Sequence, residues 1–166
     1  MSLVCAAVIS PRNAPVHVQT FGELVGDDDE SADHAVQRTL HCSLDAVEDL
    51  LGRIDRSSIA SASGGSGAAV ATTGRGPEDP YLGPVFQTED HRVHAWVTNT
   101  RARLLLVYED GFGSEPTAET VRGAFKAMQD AYADAVSDPF ATKEGRIESA
   151  RFARRVAALA TGTHRS

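Results

Sequence analysis

The sequence predicts an antiparallel α+β sandwich, and three observations carry that prediction. Apolar runs and period-2 alternations mark five strands, while apolar residues three and four apart mark three helices. The order is strand, strand, helix, three strands, two helices, and consecutive strands are joined by short connections. Short links favour antiparallel neighbours, and helices grouped between and after them must cover the sheet faces.

Leu3 to Ile9 is a continuous apolar run, as expected of a strand covered on both faces. "PRNAP" (Pro11 to Pro15) is turn chemistry and leads into "VHVQTF", where Val16, Val18 and Thr20 share one face and His17, Gln19 and Phe21 the other. The two runs form a hairpin. The acidic stretch Gly22 to Gln37 has no useful periodicity and is expected to be a mobile loop. Leu44, Val47, Leu51 and Ile54 then follow one helical stripe, with Ser43 able to cap its start. Asp45, Glu48 and Asp49 would load the early turns with acid, favourable against the helix dipole. The small residues from Ser57 to Asp79 bury too little surface to offset the entropy of ordering, so they are expected to form a disordered insertion within one domain, residues 1–166.

Three strands follow: "YLGPVFQT", "RVHAWVTN" and "ARLLLVYE", with turns at Glu89-Asp90-His91 and Asn99-Thr100. Val93, Ala95 and Val97 alternate with His94, Trp96 and Thr98, a half-buried pattern, whereas Leu104 to Val107 is uninterrupted and central. After a turn at "DGFGSEP", Thr117 can cap a helix whose stripe is Val121, Phe125, Met128, Tyr132 and Val136. A last helix is expected from about Arg146 to Ala160, with Ile147, Phe152, Val156 and Leu159 inward. Between these helices stands Asp138-Pro139-Phe140. Proline stops the first helix, and Phe140 can drop onto the shared apolar face, so Pro139 and Phe140 read as a structural corner and not as an exposed peptide motif.

Composition narrows the function. With 166 residues, 42% apolar and a formal charge of -7, the chain can bury a core but lacks the surplus of Lys and Arg that nucleic acid requires. Cys5 and Cys42 suit buried thiols in a reducing compartment, not a disulfide framework. The first ten residues read as a strand and not as a signal peptide, and no run approaches a transmembrane span. The glycines from Gly64 to Gly76 lack the Lys-Ser/Thr pair of a phosphate loop and follow no strand, so they are linker. The six histidines are scattered; His91 and His94 would point to opposite faces of a strand, and no metal-ligand spacing occurs. No nucleophile and base pair can be named, so catalytic, cofactor and metal residues are all none.

Two surfaces remain. Asp45, Glu48 and Asp49 either complement the helix dipole or form an acidic docking ridge for a basic partner. Arg151, Arg154 and Arg155 either suit the end of the last helix or face acidic lipid or a partner. An exposed sheet edge would add to the first of these.

"YLGPVFQTEDHRVHAWVTNTRARLLLVYED" resembles the strand block of the sedlin-related subunits of the TRAPP vesicle-tethering complex, in particular the subunit 2-like branch. "SLDAVEDLL" is similar to that family's first helix and "AYADAVSDPF...GRIESARF" to its last helix pair. The resemblance covers Leu3 to Thr20, His41 to Ile54 and Tyr81 to Leu159. It implies a longin/profilin-like fold: a five-stranded antiparallel sheet with one helix on one face and two on the other. It also implies a non-catalytic assembly adaptor in ER-to-Golgi and Golgi trafficking, cytoplasmic and peripheral to those membranes. The partners it implies are other TRAPP subunits, small longin-like or related ones and the large TRAPP II subunits, with a Rab GTPase reached only through the complex. Asp45 occupies the family's acidic helix position and leads the interface set. Two segments, Gly22 to Gln37 and Ser57 to Asp79, are longer than the family's pattern, and Asp138 replaces its asparagine. The alternative, a small-ligand-sensing domain of profilin-like shape, finds no convergent polar set to orient a ligand.

Overall fold

A computed structural model describes residues 2–21, 29–62, 79–109, 116–138, 142–143 and 145–162. Five strands, β1 (Leu3–Ile9), β2 (Pro15–Thr20), β3 (Tyr81–Gln87), β4 (His91–Val97) and β5 (Arg103–Glu109), form one antiparallel sheet in the order β2-β1-β5-β4-β3. The long helix α1 (Asp29–Ala62) covers one face; α2 (Ala118–Ser137) and α3 (Ala150–Gly162) cover the other. The expected α+β architecture is present.

β1 and β5 lie at the centre, and every residue of β1 is buried, as its unbroken apolar run requires. The β1–β5 register skips one residue between Leu3 and Cys5 while Tyr108 gives way directly to Val107. This bulge turns Val4 and Cys5 together toward the α1 face. β4 departs from the half-buried expectation. Val93 and Ala95 lie under α1, while His94 and Trp96 are buried on the opposite side. Edge strand β3 carries Gly83 at φ +83° and Pro84, with register shifts on both sides of that pair. A proline cannot donate to a ladder, so its place is an edge, where it also discourages pairing with another chain.

The structure corrects the sequence reading in five places. α1 begins at Asp29 and runs to Ala62, so residues 29–37 are helix and not loop, and residues 57–62 extend the helix into the expected insertion. Residues 22–28 and 63–78 lie outside the described residues. Ser43 is therefore no cap: it is buried in mid-helix, and its hydroxyl donates to the Leu40 carbonyl at 2.7 Å. Asp45, Glu48 and Asp49 likewise stand far from the positive end of the helix, so the dipole does not account for them. Finally, two short strands, β6 (Thr142–Lys143) and β7 (Arg146–Ile147), pair where the last helix was expected to begin, closed by Gly145 at φ +82°. Ile147 is buried as anticipated, but from a strand.

Thr117 caps α2 as expected, its hydroxyl accepting from the Thr120 N–H at 3.3 Å. The buried stripe of α2 starts with Val121, Phe125 and Met128 and continues through Ala131 and Ala135. Tyr132 is half-buried and Val136 is exposed. Ala131 and Ala135, being small, let α3 approach closely, with Phe152 and Val156 joining the same core. Ser149 accepts a hydrogen bond from the Phe152 N–H at 3.4 Å at the start of α3. α2 ends at Ser137, and Asp138 is extended at φ -82°, ψ 112°, the conformation a following proline imposes. Pro139 and Phe140 themselves lie outside the described residues, as does most of the predicted turn after Glu109.

Candidate partner interface

The outer face of α1 presents the acidic residues singled out from the sequence, because Leu40, Leu44 and Val47 turn the opposite face onto the sheet. The three acids have different surroundings. Asp45 is exposed and forms no hydrogen bond or ion pair among the described residues. Asp49 pairs with Arg53 one turn on, at 2.6 Å, with both side chains more than half exposed. Such a pair contributes only a few tenths of a kcal/mol, about 0.3–0.5. Glu48 reaches inward: its Oε1 accepts from Asn13 Nδ2 at 2.6 Å and from Arg103 Nη2 at 3.3 Å.

Arg103 and Asn13 are the residues that sequence reading missed here. Arg103 opens β5, and its side chain is only 10% exposed. It also donates from Nη1 to Asn13 Oδ1. Asn13 sits in the β1–β2 turn at φ +61°, a conformation asparagine tolerates better than most residues. Its sequence signal was an asparagine between two prolines; that of Arg103 was a charge beside "LLLV", which must find a partner once the strand is buried.

A second polar group lies under α2. Tyr81 Oη is 2.8 Å from His94 Nδ1, and His94 meets the Tyr108 ring edge to face at 5.6 Å. Arg122 stands 4.8 Å over the Tyr81 ring and pairs with Asp79 at 2.8 Å. Trp96 Nε1 donates to Gln129 Oε1 at 2.7 Å, tying β4 to α2. Burial, followed by the nearby Arg92 charge, lowers the His94 pKa to about 4. Burial, with a smaller push from Tyr81, raises Tyr108 to about 12. Burial also raises Tyr81, opposed by Arg122 and aided by Asp79. At neutral pH these groups are uncharged and face a covered interior. They bind the sheet to α2.

The basic residues of α3 do not form one uniform face. Arg155 donates to Asp134 of α2, and Arg154 donates from Nε to the Ala150 carbonyl at 3.3 Å, leaving Arg151 exposed. Between α2 and α3 is a cleft of about 60 Å³, lined in part by Asp134, Asp138, Ser149 and Arg155. That volume is far below the several hundred Å³ typical of a ligand pocket, about 300–1,000 Å³. Cys5 is buried, but Cys42 is exposed on α1, contrary to the expectation of two buried thiols. Among the described residues no His, Cys, Asp and Glu cluster could hold a metal, and no helix is long and apolar enough to cross a membrane. Val18, on edge strand β2, is exposed.

The family model described as Sedlin matches residues 8–162. A trafficking protein particle complex subunit 2-like protein of Dictyostelium discoideum is 27% identical over 157 residues, 95% of each chain. Proteins of the same description from Taeniopygia guttata and Bos taurus are 26% and 24% identical over 149 residues, 90% of each chain.

Proposed function

The chain belongs to the sedlin family, and on that premise we propose that it is a non-catalytic subunit of the trafficking protein particle (TRAPP) complex, serving as an assembly adaptor in ER-to-Golgi and Golgi transport. The observation that carries this reading is the extent of the likeness: relatives described as subunit 2-like proteins align with 90–95% of the chain. The architecture supports it. A sheet clamped between helices gives a rigid body whose polar interior is tied into packing, so function falls to the outer surfaces. In this reading residues 1–166 act as one domain.

The mechanism is shape and charge. Asp45, with Asp49 one turn on, offers acid on the outer face of α1 to a basic surface of a neighbouring subunit. A stable contact of this kind buries on the order of 1,200–2,000 Å² in total, so apolar anchors around the acids must supply most of the affinity. The subunit is cytoplasmic and meets Golgi and ER–Golgi membranes only as part of the complex. Nucleotide exchange on a Rab GTPase belongs to the whole assembly, to which this chain contributes a surface.

Affinity purification of the tagged chain at native expression, followed by mass spectrometry with cross-linking, tests the proposal. Small and large TRAPP subunits should co-purify in fixed ratio. A chain that recovers none of them, yet is reproducibly stabilised by a nucleotide or metabolite, would overturn it in favour of ligand sensing.

A further inference from the structure

The acids of α1 do not act as one ridge. We infer that Glu48 is an internal tie and that Arg103, with Asn13, positions α1 on the sheet so that Asp45 is presented to a partner. The inference rests on the docking role proposed for α1 and assigns different work to neighbouring residues.

The surface beneath α1 explains why a tie is needed. It is built from apolar side chains alone, among them Cys5, Ala7, Ile9, Val93, Ala95 and Leu105. Burial against such a surface is strong but non-directional. Directional polar contacts supply what burial does not, because a charge-assisted bond to a fixed fork has a preferred geometry. The fork is well fixed. Arg103 belongs to β5, pairs across the ladder with Ile9, and is nine-tenths buried. The third member is fixed as well. In the β1–β2 turn the Asn13 N–H donates to the Ser10 carbonyl at 3.0 Å, and the Ala14 N–H donates to the Ser10 hydroxyl at 3.1 Å. Both amide atoms of the Asn13 side chain are engaged, one with Arg103 and the other with Glu48.

Thus three parts of the chain meet at one point: the β1–β2 turn, the first residue of β5 and the middle of α1. Asp45 lies one turn before Glu48 on that helix, so any displacement at Glu48 carries Asp45 with it. An ion pair of this kind, buried at Arg103 and half-exposed at Glu48, contributes less to stability than to selecting one arrangement. Glu48 is therefore occupied from within, and Arg103 is a positioning residue.

A double-mutant cycle on the full chain within the complex separates this from a direct contact. Glu48→Ala and Arg103→Met should each weaken capture of partner subunits by roughly threefold to tenfold at temperatures where circular dichroism shows both folded. The double variant should be no weaker than the poorer single one, and Glu48→Gln, which can still accept both hydrogen bonds, should restore most of the capture. If Glu48→Ala weakens capture as much in the Arg103→Met background as alone, Glu48 touches the partner and the inference fails. If all folded variants bind as the unmodified chain does, the tie is structural only, and the inference fails again. Failure of the unmodified chain to capture any TRAPP subunit would instead remove the docking role beneath it, a distinct result.

Discussion

Tyr81 Oη sits 2.8 Å from His94 Nδ1, a hydrogen bond between an edge strand and its neighbour inside a sheet face covered by α2. The contact makes a histidine part of the core. It also leaves a group that titrates near physiological pH in a setting hostile to its charge.

The consequence is a stability that declines in mild acid. Burial first and Arg92 second lower the folded-state pKa of His94 to about 4, against about 6.5 in an unfolded chain. Tyr81 and Tyr108, the other titratable groups facing it, are neutral throughout this range. Above about pH 6.5 both states hold a neutral imidazole and the full stability is present. As pH falls toward 4, the unfolded chain takes the proton first, so stability is lost, up to about 3 kcal/mol in the limit. Thermal melts from pH 7.5 to 4.5 should show a steeper loss for the unmodified protein than for His94→Asn. Parallel pH dependence in the two proteins would show that His94 does not carry the effect.

Tyr108 gives a prediction of opposite direction. Its hydroxyl is buried without a hydrogen-bond partner among the described residues, an arrangement that costs roughly 1–3 kcal/mol. Tyr108→Phe keeps the ring beside His94 and removes that cost, so chemical denaturation should show unchanged or raised stability, by up to about 1 kcal/mol. The alkaline limb should change too. With the folded pKa at about 12 and the unfolded one near 10, the unfolded state loses its proton first, and stability falls as pH rises past about 10. Part of that fall should vanish in the variant. A clear loss of stability at pH 7 would mean that the hydroxyl has a partner.

How much of this was legible follows from which residues carry a period. Leu3 to Ile9 and Leu104 to Val107 announced central strands because both of their faces are apolar. Asp29 to Gln37 announced nothing, because it has no stripe to bury. Yet no proline stands between Pro15 and Pro77, and a helix already nucleated on Leu40, Leu44 and Val47 gains one hydrogen bond per added residue through a stretch, 29–37, that holds neither Gly nor Pro. The two-residue strands β6 and β7 are too short for any period; only Gly145 marked their turn. Ala131 and Ala135 were passed over for Tyr132 and Val136 because hydrophobic size was weighed and the room α3 needs was not. The family resemblance made α1 a candidate interface, but it could not distinguish three acids of the same charge. That distinction came from residues distant in sequence, Asn13 and Arg103.

The same distinction decides how the interface should respond to mutation. Asp45 is exposed and makes no polar contact among the described residues, so reversing its charge should cost the isolated fold little, within about 0.5 kcal/mol as for most surface changes. Asp45→Arg should therefore melt within a few degrees of the unmodified protein, while its recovery with other TRAPP subunits falls at least severalfold, since a like charge set against a basic partner surface is repelled. Asp49→Ala, which loses only a solvent-screened pair with Arg53, should do less. Co-purification at matched expression, scored beside the melting temperature, reads both quantities. Recovery of Asp45→Arg at the unmodified level would move the interface off this part of α1, and the exposed Val18 on the β2 edge would become the next surface to change.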